Sequence, residues 1–92
     1  MKIISLILLA AITSQKAEVQ QIDKKIEHLT EVKRRYNAEA IQYREEADRW
    51  QFYPGRMQDA RNAWAMEDEK RAKAKEIELE IEKLKQRKAE LE

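Results

Sequence analysis

The chain has no cysteine, one proline, one glycine and one histidine in 92 residues. Without cysteine there is no disulfide framework and no thiolate site, and no redox compartment is indicated. A single glycine leaves no Gly-rich loop to cradle a phosphate. Charge of one sign is missing too: 19 basic against 18 acidic side chains give a net charge of +1. Lys and Arg are interleaved with Asp and Glu in both halves, so there is no basic face or stripe of the kind that binds nucleic acid. No apolar run approaches the roughly 20 residues that a membrane-spanning helix needs.

What is present is charge and periodicity. Charged residues make up 40% of the chain and hydrophobic ones 42%, the profile of long helices and coiled coils. Disorder is excluded because the apolar residues recur at fixed intervals. Ile22, Leu29, Tyr36, Tyr43 and Trp50 lie seven apart, and beside them run Val19, Ile26, Lys33, Ala40 and Ala47. Alternating spacings of three and four lay one apolar seam along a helix. From Gln15 to Phe52 nothing breaks it, and Glu31–Arg35 and Glu45–Arg49 are spaced as supporting i,i+4 pairs. The helix should stop near residue 52, because the residue before a proline is pushed out of the helical region. Tyr53-Pro54-Gly55-Arg56 suits a type II turn. A second helix follows from about Arg56 to the end, supported by Glu67–Arg71 and Glu69–Lys73. Its segment 76–82 alternates like a strand, but Ile77, Ile81, Leu84 and Leu91 continue a helical stripe, so helix is preferred.

Folding the chain at Pro54-Gly55 sets residue i beside roughly residue 109−i. Trp64 then arrives near Ala47 and Tyr43, large opposite small, as close-packed layers require. At the far end Val19, Ile22, Ile26 and Leu29 meet Leu79, Ile81, Leu84 and Leu91. Between these the seam is weak, with only Ala72 and Ala74 apolar from Glu67 to Lys75. Lys33 falls on the seam. A polar residue there can set register, but the reading adopted is that its long stem carries the ammonium out to the rim.

Residues 1–16 differ from the rest. Ile3, Ile4, Leu6, Ile7, Leu8, Leu9 and Ile12 follow a basic Lys2. These are the parts of a secretory signal, although cleavage after Ser14 would leave Ile12 and cleavage after Ala17 would leave Gln15 where small residues are preferred. In the folded register Glu92 comes near Ala17, so the apolar segment overhangs the hairpin without an intrachain partner. It is removed on export, retained as an anchor, or buried on a partner protein.

Residues with chemical potential are few. His28 lies between Glu27 and Glu31 at an outward position, and one histidine there supplies no converging metal set. No carboxylate pair sits in an apolar pocket, and two helices enclose no cavity of ligand size. An enzyme is therefore not expected, nor any metal or cofactor. Trp50, Phe52 and Tyr53 either form an exposed recognition tip or pack as core and helix stop.

These observations predict an all-α fold: an antiparallel two-helix coiled-coil hairpin with an apolar N-terminal helical extension, residues 1–16 preceding a hairpin of 17–92. The candidate interaction seam is Val19, Ile22, Ile26, Leu29, Tyr36, Tyr43, Trp50, Trp64, Ile77, Ile81 and Leu84. The expected role is a structural or assembly protein acting by helix–helix contact. Its partners are a second copy, as a homodimer or higher oligomer, or a helical protein, with possible membrane contact through residues 1–14. The order of parts is similar in layout to many small bacterial or phage envelope proteins, which implies an exported or membrane-anchored location. The alternative is a soluble cytoplasmic chaperone or adaptor whose apolar start docks into a partner's groove.

Overall fold

In the computed structural model the backbone is described for residues 2–92 and the side chains for residues 14–92. Two helices, α1 (Lys2–Trp50) and α2 (Met57–Leu91), make up nearly the whole chain. They run antiparallel and pack on each other as an all-α hairpin, a rod 82 Å long and 14 × 12 Å in section.

The turn follows from its two special residues. The Arg56 N–H donates to the Tyr53 carbonyl at 3.1 Å, and Gly55 has φ +79°. That left-handed value at the third turn position is the type II geometry, which glycine adopts without steric cost. α1 ends at Trp50, two residues earlier than the sequence suggests. The Tyr53 N–H reaches the Trp50 carbonyl at 3.0 Å, tightening the last turn before the proline. α2 starts at Met57, with Arg56 in the cap position.

The packed seam is narrower and smaller than its aromatic residues promise. Among the described residues the buried side chains are Ile22, Ala40, Ala47, Ala60, Ala63, Ala74 and Ile81, and no large side chain is fully buried. Two helices have only one line of closest approach. Alanine fits on that line, while tyrosine and tryptophan must lean off it and keep one side in water. Tyr36, Tyr43, Trp50 and Trp64 are accordingly half-buried. On α2 the covered positions include 60, 67, 74, 81, 88 and 63, 70, 77, 84, 91, an unbroken heptad, with Asp59, Trp64, Met66, Lys73 and Glu78 half-buried on its flanks. Glu67, Lys70 and Lys88 therefore belong to the seam. The segment that looks weak by hydropathy is continuous in geometry.

Cross-helix ion pairs hold the register. Glu18–Arg87 (3.1 Å), Asp23–Lys88 (2.8 Å), Lys25–Glu80 (3.8 Å), Lys33–Glu78 and Glu39–Lys70 (3.0 Å) each join α1 to α2. Their residue numbers add to between 105 and 111, against the expected 109. The signs run −, −, +, +, − along α1 and are matched by the opposite signs on α2. A slip of one heptad would keep the apolar spacing but oppose Lys33 with Arg71 or Lys85, and Lys25 with Lys73 or Arg87. Like charges at these positions disfavour the slipped alternatives. Within helices, Glu31–Arg35, Glu67–Arg71 and Glu69–Lys73 pair as spaced. Glu45 and Arg49 do not.

Candidate interaction surfaces

Both helices contribute a full line of seam positions to the hairpin's own contact. Of the predicted seam residues, Ile22 and Ile81 are buried. Val19, Ile26, Leu29, Tyr36, Tyr43, Trp50, Trp64, Ile77 and Leu84 are half-buried. Ala47 and Trp64 stand in the same register relation as the paired Lys33 and Glu78, their numbers again adding to 111. The predicted anchor residues Ile3, Ile4, Leu6, Ile7, Leu8, Leu9 and Ile12 lie outside the described side chains.

Three seam lysines share one arrangement. Lys33, Lys70 and Lys88 each lie on the contact line with their stems partly covered, and each ammonium meets a carboxylate of the other helix, from Glu78, Glu39 and Asp23 respectively. Escape of Lys33 to the rim and a role in register are thus the same event: the stem carries the charge outward, and Glu78 waits there. The hydrogen bond from Lys33 holds the Glu78 carboxyl below its ordinary range, and those to Glu39 and Asp23 push the ammonium groups of Lys70 and Lys88 up. The spacing of Ala60, Ala63, Ala74, Ile77, Ile81 and Leu84 carries the signal for Lys70 and Lys88. It is legible only once the seam is assumed to continue through charged residues.

Away from the seam, the Arg34 hydrogen bond and the nearby Arg35 lower Glu31 to about 2. His28 is exposed. Among the described residues no group of carboxylates, histidines or cysteines converges as a metal site. Ile41 and Leu79 are 50% and 57% exposed, so Leu79, which the sequence sets at the far end of the seam, lies off it.

The concave surfaces are shallow. One lies at the open end, where Leu91 and Glu92 come alongside Gln15, Lys16, Val19 and Gln20. Another lies beside the turn, between Tyr43, Glu46 and Trp50 on one helix and Asp59, Asn62 and Met66 on the other. Over it the Arg56 guanidinium stacks on Trp50, 3.9 Å from the ring centroid, and pairs with Asp59. Tyr53 meets Trp50 edge-on at 5.7 Å. Trp50 is thus partly covered by its neighbours, whereas Phe52 is 80% exposed and Tyr53 56%. The turn presents aromatic rings outward.

Among the described residues no helix is long and apolar enough to cross a membrane. Comparison with protein-family models, with curated proteins and with solved structures gave no match.

Proposed function

We propose that this chain is a non-enzymatic structural or assembly component of a cell envelope or an envelope-associated machine. It acts as a coiled-coil hairpin that holds partners by helix–helix contact while residues 1–14 attach it. The observation that carries this reading is the register. The cross-helix pairs Glu18–Arg87 and Asp23–Lys88 set α2 beside α1 from residue 15 onward, which supports a hairpin of the residues that follow and leaves the apolar sequence of residues 1–14 as the candidate for attachment. Burying that sequence in lipid or protein is favourable at ~25 cal/mol per Å² of apolar surface. Self-association of the hairpin would cover Ile41 and Leu79, and a pair of hairpins closing into four helices is the simplest form.

Fractionation of native material with intact-mass measurement tests the reading. Recovery with the envelope fraction, by way of a retained or processed N-terminus, supports it. Recovery in the soluble cytoplasm with Met1 intact favours the adaptor, whose apolar start docks into a partner protein. Sedimentation equilibrium tests self-association, and a stable folded monomer at micromolar concentration would rule it out.

A further inference from the structure

We infer that the turn from Trp50 to Met57 is a bilayer-contact tip, so that the hairpin bridges two apolar environments, one at each end of the rod. Phe52, Tyr53 and Met57 are 80%, 56% and 44% exposed, three of the five large hydrophobic side chains that stand most in water. They cluster at the single place where the chain reverses. Tryptophan and tyrosine beside phenylalanine are the side chains of a membrane–water interface, with an apolar body and a polar edge. Arg56, next to them in the chain, is held over Trp50 and paired with Asp59.

The N–H groups of Gln51, Tyr53 and Arg56 bond to carbonyls within the turn and the helix end, and Pro54 has none to satisfy. Those of Phe52, Gly55 and the first turn of α2 keep their need for water or lipid headgroups, which holds the contact at the membrane–water interface. The alternative occupants fit less well. At 150–250 Å² per aromatic ring, Phe52, Tyr53 and Met57 offer roughly 400 Å². Two tips meeting would bury about 800 Å², short of the ~1,200 Å² of a stable interface. Phe52, Tyr53 and Met57 are not among the residues that line the recess beside the turn, and a lipid surface demands no complementary shape.

Distance makes the two ends separate. From Ser14 to Trp50 the helix rises about 54 Å at ~1.5 Å per residue. A chain attached upright through residues 1–14 cannot lay its tip on the same bilayer. The bridging half of this inference rests on that attachment, whereas the tip contact does not.

The full chain, carrying Trp64→Phe so that Trp50 is the only tryptophan, is mixed with phosphatidylcholine/phosphatidylglycerol vesicles containing brominated acyl chains. Trp50 emission reads tip insertion, and energy transfer between two vesicle populations bearing different fluorophores reads bridging. The expected result is at least twofold quenching of Trp50 together with vesicle clustering, both lost in Phe52→Ser/Tyr53→Ser with helicity retained. Quenching without clustering would leave the tip contact standing and remove attachment through residues 1–14. Clustering or flotation without quenching, unchanged in the Ser/Ser variant, would overturn the tip contact and point to a protein partner for the aromatic rings.

Discussion

Ala47 is the residue at which the packing can be tested by the sign of an effect. Its side chain is 0% exposed, as are those of Ala40 and Ala60. Ala47→Leu adds three carbons on the line of closest approach. If the helices had room there, burying those carbons at ~0.8 kcal/mol each would stabilise the hairpin by about 2 kcal/mol. If alanine is what lets the backbones approach, leucine forces them apart and costs about 1–3 kcal/mol. The structure predicts the second. Urea unfolding followed by far-UV circular dichroism measures it. With a slope of ~1 kcal/mol per M, the midpoint should fall by roughly 1–3 M. Ala72→Leu is the control, since Ala72 is exposed on the same kind of helix; its effect should stay within about 0.5 kcal/mol. Protein concentration is held constant so that any association contributes equally. A midpoint that rises in Ala47→Leu would show that the small-residue seam is not closely packed, and the register derived from it would fail as well.

Ile81→Ala, at 3% exposure, should cost about 2–4 kcal/mol, while Leu79→Ala at 57% exposure should be close to neutral; equal effects would mean that the seam runs elsewhere. Leu29 is only half-buried, so Leu29→Ala should fall between the two, at about 1–2 kcal/mol, by the same unfolding measurement. Lys33→Glu should lower the melting temperature by opposing Glu78, and adding Glu78→Lys should restore most of it; no recovery in the double variant would show that the pair does not set register. Glu31 and Glu78 have carboxyls held below their ordinary value by hydrogen bonds from Arg34 and Lys33. Their contribution is therefore complete above about pH 4.5 and is lost as pH falls toward 2, where Glu31 titrates. Glu31→Gln/Glu78→Gln should flatten that acid limb in a pH series of thermal melts, and an unchanged limb would refute the assignment.

The heptad from Val19 to Trp50, the break at Pro54-Gly55 and the second stripe from Ile77 to Leu91 are written in the chain itself. Helix periodicity and the backbone limits of proline and glycine act locally, so the all-α hairpin, its turn type and its approximate register follow from spacing alone. Tertiary structure decided which of the spaced residues make the core. Hydropathy favours the tyrosines and tryptophans, but only the distance between two helix axes shows that Ala40, Ala47, Ala60 and Ala63 fill the contact line while the rings lean outward. It also decided what Lys33, Lys70 and Lys88 do. A lysine in a heptad reads as an interruption until the opposite helix supplies Glu78, Glu39 or Asp23 at its tip. Those partners lie tens of residues away in the chain, and no local rule joins them. The physical reason is the same in each case: periodicity determines which face a side chain occupies, and only the second helix determines what stands across from it.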